Sequence, residues 1–276
     1  MTSDIDPYLE AQYNNRLAVP DFADYLANWS QRSTHYRESA KGHLNLSYGD
    51  SERETLDIFP ATTVSAPIHV FLHGGYWQAL SKDSFSFVAE LINQQGECAI
   101  IVNYDLCPSV TVAEIIAQIQ KAARWILSNG ADFGGDVRHI QVTGHSAGAQ
   151  LLAKLMTTNW TEQGFSHLPF QRLNALSGLY DLQPLVPTSI NQALQLTPQS
   201  SEQVSPLFDR FHHQSDLVEL NLLVGTLESD EYKKQSTQLV ETWGDKLRMQ
   251  YQTIPDTHHF SILDRFYSNF YHPIEM

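Results

Sequence analysis

The chain reads as an α/β protein built on a mostly parallel central sheet, and two patterns in its 276 residues lead there. From residue 68 onward, short apolar runs alternate with segments of helical periodicity, the arrangement produced by successive β-α-β units. Ahead of them, two runs of strand character flank a turn signal, so the sheet is expected to open with an antiparallel pair.

The parallel strands are expected at Ile68 to Leu72, Cys98 to Asn103, His139 to Thr143, Leu173 to Leu176, Leu220 to Val224 and Leu247 to Ile254. Between them, Val112, Ile115, Ile116, Ile119, Ala123 and Ile126 recur at helical spacing, as do Ala147, Leu151, Leu152, Leu155 and Met156, which puts helices on both faces of the sheet. The antiparallel pair is His43 to Tyr48 with Glu54 to Phe59, and Gly49-Asp50 is a hairpin signal between them. Residues 1–40 carry Tyr8, Leu9, Tyr13, Leu17, Phe22, Tyr25, Leu26 and Trp29 at irregular helical spacing, a helical lead-in lying on the main domain. Residues 183–215 break the alternation with Pro184, Pro187, Pro198 and Pro206 among polar residues. A stretch of that kind suggests an insertion, lid-like or ligand-binding. A single domain is expected over 1–276.

Composition excludes several classes of function. The 31 acidic and 17 basic side chains give a formal net charge of −14, a field that repels nucleic-acid backbones and anionic membrane surfaces. No apolar run approaches the roughly 18 residues of a membrane span. The segment Met1-Thr2-Ser3-Asp4-Ile5-Asp6-Pro7 has neither the basic nor the apolar region of a secretion signal. Two cysteines, Cys98 and Cys107, make no disulfide framework. The expectation is a cytoplasmic protein whose partner is a small-molecule substrate, with a homodimer left open.

The chemistry is concentrated in Gly144-His145-Ser146-Ala147-Gly148, which lies between the strand ending at Thr143 and the helical run from Ala147. A G-x-S-x-G pattern at such a junction marks a sharp turn that projects the serine from the carboxyl end of its strand, with glycines where side chains would collide. Ser146 is therefore the candidate nucleophile, and the Ala147 N–H, opening a helix, is a candidate oxyanion donor. Val70-Phe71-Leu72-His73-Gly74-Gly75-Tyr76-Trp77 is a second strand ending in small residues, from which the Gly75 and Tyr76 N–H groups are expected to join that site. This combination points to a serine hydrolase of the α/β-hydrolase fold, in which acid and histidine follow the nucleophile in chain order. Among twelve histidines, His258 and His259 follow the last strand and open the final helical stretch; His212 and His213 fall in the irregular insertion. The turn after Val224 offers Glu228, Asp230 and Glu231, and Asp181 is a further carboxylate after the strand that ends near Ser177.

From about residue 54 onward the chain resembles the kynurenine formamidase (arylformamidase) branch of the α/β-hydrolases, near the hormone-sensitive-lipase-like esterases. The resemblance rests on Leu56-Asp57-Ile58, His73-Gly74-Gly75-Tyr76-Trp77, Asn103-Tyr104-Asp105-Leu106-Cys107-Pro108, Gly144-His145-Ser146-Ala147-Gly148-Ala149, Ser177-Gly178-Leu179-Tyr180-Asp181-Leu182 and His259-Phe260. It implies His259 as the base and Glu228, three residues after Gly225, as the acid, with Asp230 as the alternative; the family normally has aspartate at that position. Gln150 stands where the animal enzymes carry histidine. The resemblance also implies hydrolysis of N-formyl-L-kynurenine without metal or cofactor, through a formyl-enzyme on Ser146. Tyr76, Trp77 and His145 are the expected substrate contacts. Two other readings remain, a carboxylesterase acting on small acyl or aryl esters and a non-catalytic binding protein on a hydrolase scaffold.

Overall fold

A computed structural model describes residues 5–212 and 215–273. Eight strands, β1 (His43–Ser47), β2 (Thr55–Phe59), β3 (Ala66–Leu72), β4 (Cys98–Val102), β5 (Gly135–His145), β6 (Arg172–Leu176), β7 (Ser215–Gly225) and β8 (Leu247–Ile254), form one sheet in the order β1-β2-β4-β3-β5-β6-β7-β8. The β1–β2 and β2–β4 pairs are antiparallel and the rest are parallel. All seven residues of β3 and all five of β4 are buried. A strand covered on both faces has no polar side, so these read as apolar runs, broken only by the buried His69 of β3.

Successive residues of β4 feed opposite cores. Cys98, Ile100 and Val102 join the layer made with α5 (Val112–Asn129) and α6 (Ala147–Thr157). Ala99 and Ile101 join the layer made with α4 (Ser86–Asn93) and α10 (Ile262–Asn269). The lead-in forms α1 (Pro7–Tyr13), α2 (Asn15–Ala18) and α3 (Phe22–Ser39). Trp29 of α3 is 1% exposed and packs on Phe85, Phe87 and Phe260, which binds the lead-in to the α4/α10 side.

Several boundaries differ from the sequence reading; β7, for one, begins at Ser215 rather than Leu220. β5 begins at Gly135, because Ala66 and Pro67 pair with Gly135 and Asp136 ahead of a register irregularity; the polar stretch there carries no strand periodicity. The β1–β2 connection runs from Tyr48 to Glu54 rather than through a tight Gly49-Asp50 hairpin. The Glu54 carboxylate closes it by accepting the Asp50 and Ser51 N–H groups at 2.7 and 2.9 Å.

The segment from 183 contains α7 (Asn191–Leu194) and α8 (Pro198–Val204), and buries Leu185, Ile190, Leu194 and Val204. It is tied to the N-terminal helices: Asp6 N–H donates to Pro187 O at 2.8 Å, and Ser189 Oγ donates to Glu10 Oε1 at 2.6 Å. His212 is exposed, and His213 lies outside the described residues.

At the other end of the sheet, Asp57 is fully buried on β2. It pairs with Arg37 and with Lys82, whose side chain is 2% exposed and whose Nζ lies 2.9 Å from it; its Oδ1 also accepts the Asn45 N–H at 2.7 Å. Removing one partner from a buried ion pair leaves a charge without compensation. Asp57→Asn is therefore expected to lower the free energy of unfolding by about 3 kcal/mol, measured by urea denaturation.

Candidate active site

Ser146 joins β5 to α6 with φ 56° and ψ −118°, a backbone region that L-residues avoid at a cost of about 1–3 kcal/mol. The turn is held from both sides. The Ser146 N–H donates to Leu176 O of β6 at 2.8 Å, and its carbonyl accepts the Ala149 N–H at 2.9 Å. A Cβ on Gly148 would stand 2.0 Å from Leu72 O, and one on Gly144 would stand 2.3 Å from Gly148 O. Only glycine permits so close an approach of helix and strand.

The loop after β3 runs through three successive residues of positive φ, Gly75 (113°), Tyr76 (51°) and Trp77 (54°). Its curl is closed by the Gly75 carbonyl, which accepts the Gln78 and Ala79 N–H groups at 3.0 Å each. The N–H groups of Gly75, Tyr76 and Ala147 donate to no backbone carbonyl among the described residues. Gly75, Tyr76, Ser146 and His259 line one cavity of about 490 Å³.

His259 and Glu228 meet beneath that cavity. His259 Nδ1–H donates to Glu228 Oε2 at 2.9 Å, with the Glu228 side chain 1% exposed. Glu228 Oε1 accepts the Ser177 hydroxyl at 2.6 Å and the Gly225 N–H at 2.7 Å. One oxygen is thus anchored and the other faces the imidazole, which is how the loop accommodates the extra methylene of glutamate. The tautomer that donates from Nδ1 leaves Nε2 unprotonated in the neutral ring. The two turns carrying these residues are stitched together by Thr226 N–H to Ile254 O at 3.0 Å and Leu227 N–H to Thr257 O at 2.9 Å.

The other candidates lie elsewhere. Asp230, offered as an alternative acid, opens α9 (Asp230–Trp243) with its side chain 91% exposed beside Lys233; helix geometry points it outward. The Asp181 carboxylate accepts the Gln183 N–H at 2.9 Å. His258 Nδ1 accepts the Phe260 N–H at 3.2 Å, and its Nε2 meets the Tyr25 hydroxyl at 3.2 Å.

Among the expected substrate contacts, Tyr76 and His145 line the cavity. Trp77 does not: its indole is fully buried in the core and donates from Nε1 to Gln150 Oε1 at 3.1 Å. The Gln150 amide passes the chain on to Val204 O at 2.7 Å. Trp77 is thus a wall-fixing residue tied to α6 and α8. His145 Nε2–H donates to the His259 carbonyl at 2.8 Å, so it braces the base loop; burial keeps its imidazole well below the ordinary pKa and neutral.

Ser177, which opens one of the resemblance motifs, anchors the Glu228 carboxylate. Other residues at the site carry no sequence signal of their own. Tyr232 of α9 meets the Asn15 amide and the Tyr76 hydroxyl. Asn15 and Arg16 bring the N-terminal helices into the cavity wall.

The family model described as alpha/beta hydrolase fold matches residues 69–248. The chain belongs to the α/β-hydrolase family. Within it the chain groups with kynurenine formamidases. It is 29% identical to the Salmo salar enzyme over 272 residues, 95% of this chain and 90% of that one. It is 30% identical to the Danio rerio enzyme over 268 residues, 94% and 88% of the two chains. A crystal structure from Silicibacter sp., provisionally assigned as a thioesterase, superimposes with a TM-score of 0.83 at 27% identity and covers 94% of each chain. This α/β-hydrolase is accordingly a hydrolytic enzyme, and no helix among its described residues is long and apolar enough to cross a membrane.

The motif histidine of the glycine loop has a structural role. His73 lies between the rings of Tyr104 and Phe85, at 4.3 and 5.5 Å and nearly parallel to both. Its Nδ1–H donates to Gly74 O at 2.7 Å, and the Tyr104 hydroxyl donates to His73 O at 2.7 Å. Burial holds its pKa down at about 4. An unfolded chain binds this proton near pH 6.5 while the folded chain refuses it until about pH 4. Stability from this group is therefore complete above 6.5 and is lost as pH falls toward 4, by up to roughly 3 kcal/mol. Unfolding free energies measured between pH 7 and 4.5 should show this decline, and His73→Phe, which keeps the stacking, should flatten it.

Proposed function

We propose that this enzyme is a serine hydrolase that cleaves an aryl formamide, with N-formyl-L-kynurenine the substrate that fits best, giving L-kynurenine and formate. The observation that carries the reading is the joint one of a strained serine and a carboxylate-held imidazole lining one cavity, in a chain that is similar along nearly its whole length to kynurenine formamidases.

In this mechanism Ser146 Oγ attacks the formyl carbon while His259 Nε2 takes its proton, and Glu228 stabilises the imidazolium through Nδ1–H. The developing oxyanion is received by the N–H groups of Gly75, Tyr76 and Ala147. Collapse breaks the C–N bond, and His259 returns the proton to the departing aryl amine. Water, activated by the same base, then releases formate and restores Ser146.

The cavity supports this choice of substrate. Its volume of about 490 Å³ suits a drug-sized ligand. Leu26, Trp29, Phe85 and Phe260 give it an apolar wall for an aryl leaving group. Arg16, in a chain of net charge −14, is the only lysine, arginine or carboxylate residue among the described residues that lines it, and a guanidinium there suits a substrate bearing a carboxylate. All the residues in this proposed mechanism come from one chain, so it calls on no second copy. Two buried free thiols, Cys98 and Cys107, accord with our placing the enzyme in the reducing cytoplasm.

Ser146→Ala is expected to lower kcat by at least about 10⁴-fold and to abolish the stoichiometric organofluorophosphonate labelling that the wild-type protein shows. Labelling at another serine would remove Ser146 from the mechanism. Glu228→Gln should lower kcat by about 10²–10⁴-fold, and His259→Ala should be far more damaging than His258→Ala. Near-normal turnover in Glu228→Gln would overturn the acid assignment.

The substrate is tested by paired rates. We expect kcat/KM for N-formyl-L-kynurenine to exceed that for p-nitrophenyl acetate, with p-nitrophenyl butyrate slower still, because contacts to the leaving side strengthen transition-state binding. An enzyme that turns over the butyrate ester well and leaves the formamide intact would be a carboxylesterase instead.

A further inference from the structure

Arg16 lines the cavity that holds Ser146 and His259. It is exposed, whereas Ser146 and His259 are buried, so the cavity leads from a charged mouth to reacting groups at its floor. The guanidinium stands over the Phe22 ring at 5.7 Å, and Phe22 packs against Phe260, the neighbour of His259, at 6.1 Å. Among the described residues it makes no ion pair or hydrogen bond. Its donors are thus available to a ligand. Two half-buried residues of the same wall, Asn14 and Ser189, have their protons committed elsewhere. Asn14 Nδ2 donates to Glu10 Oε1 at 2.8 Å. Ser189 donates to the same carboxylate twice, from Oγ to Oε1 at 2.6 Å and from its N–H to Oε2 at 2.8 Å. A serine hydroxyl has one proton, so with that proton on Glu10 its oxygen can only accept. The Asn14 amide, oriented by the same carboxylate, keeps Oδ1 as an acceptor whose protein contact is the Leu17 N–H at 3.4 Å. Burial pulls the Glu10 carboxyl upward, but the hydrogen bonds from Ser189 and Asn14 outweigh it and hold the group below the ordinary carboxylate range. Glu10 therefore stays ionised at neutral pH and keeps both side chains turned this way.

We propose that the mouth of the cavity is a head-group subsite for a free α-amino acid, with Arg16 binding its carboxylate and Asn14 Oδ1 and Ser189 Oγ binding its ammonium. This rests on the reading of the site as an aryl formamidase and extends it to the far end of the substrate, away from the scissile bond. The two halves are complementary in kind. A guanidinium offers a carboxylate parallel N–H donors, whereas an ammonium has only donors and needs acceptors, which the Glu10-held oxygens supply with a negative charge behind them. A chain of net charge −14 repels a purely anionic ligand, and a zwitterion brings no net charge into that field. A peptide or an N-acylated amino acid lacks the ammonium and would leave the acceptors unpaired. Contacts so far from the reacting carbon act by raising the occupancy and orientation of the right substrate.

The test uses the full-length enzyme, with every rate normalised to the fraction of Ser146 titrated by an organofluorophosphonate. N-formyl-L-kynurenine is compared with ortho-formamidoacetophenone, which keeps the aryl formamide and the ketone but has no amino-acid head, and with the deamino analogue, which keeps the carboxylate alone. Wild type is expected to favour N-formyl-L-kynurenine over both in kcat/KM. Arg16→Gln should lower its preference over ortho-formamidoacetophenone by about ten-fold, mainly through KM, and Ser189→Ala should lower its preference over the deamino analogue by at least about three-fold. A purely structural role would slow each pair of substrates together, and a smaller fall in either variant would overturn the proposal. So would a wild type that cleaves ortho-formamidoacetophenone as well as N-formyl-L-kynurenine, a result that leaves the formamidase reading standing. A wild type that leaves all three formamides intact would instead defeat that reading, and this inference with it.

Discussion

A backbone conformation that an L-residue avoids, φ 56° and ψ −118° at Ser146, is the constraint around which the rest of the molecule is arranged. It persists because the chain on either side has no freedom to relax: β5 is paired on one side with β3 and on the other with β6, with Leu72 opposite Gly144 and Leu176 opposite His145. Helix α6 is pressed so close to β3 that residue 148 can have no side chain. Parallel pairing carries the same register outward, so the turns after β7 and β8 open at the same edge of the sheet as the serine. The carboxylate and the imidazole arrive together because the strands that deliver them are adjacent.

What the sequence makes legible follows from how local each constraint is. The strand–turn–helix at Ser146 is written in five consecutive residues, and the buried central strands announce themselves as apolar runs. Chain order narrows the base to two neighbouring histidines, and the structure separates them by their partners, Glu228 for His259 and Tyr25 for His258. Trp77 is harder to read. Two adjacent aromatics in left-handed backbone must splay, and sequence does not say which turns into the core.

The tyrosine chain is invisible in sequence because its members are remote. Asn15 and Tyr232 are 217 positions apart, and neither stands in a motif. The strand at Gly135 is hidden for a different reason: Asp136 and Arg138 satisfy each other at a register irregularity, where no periodicity exists to be detected. Sequence pattern reports what one element needs from its own neighbours. It is silent on what two distant elements need from each other.

The N-terminal helices sharpen the point. The segment shared with the wider family spans residues 69–248, which includes the serine and the acid but neither His259 nor the helices that carry Tyr13, Asn15 and Arg16. The common part thus holds the proposed nucleophile and its proposed oxyanion donors, while much of the cavity wall, Leu26, Trp29 and Phe260 included, comes from peripheral chain that answers to different packing demands. Lineages on this scaffold can diverge in substrate by exchanging or remodelling their first forty residues while the catalytic turn stays untouched. In such an architecture chemistry and selectivity evolve as separable inheritances, joined here by hydrogen bonds such as those from Asn15 to Tyr232 and from Tyr76 to the Tyr13 carbonyl.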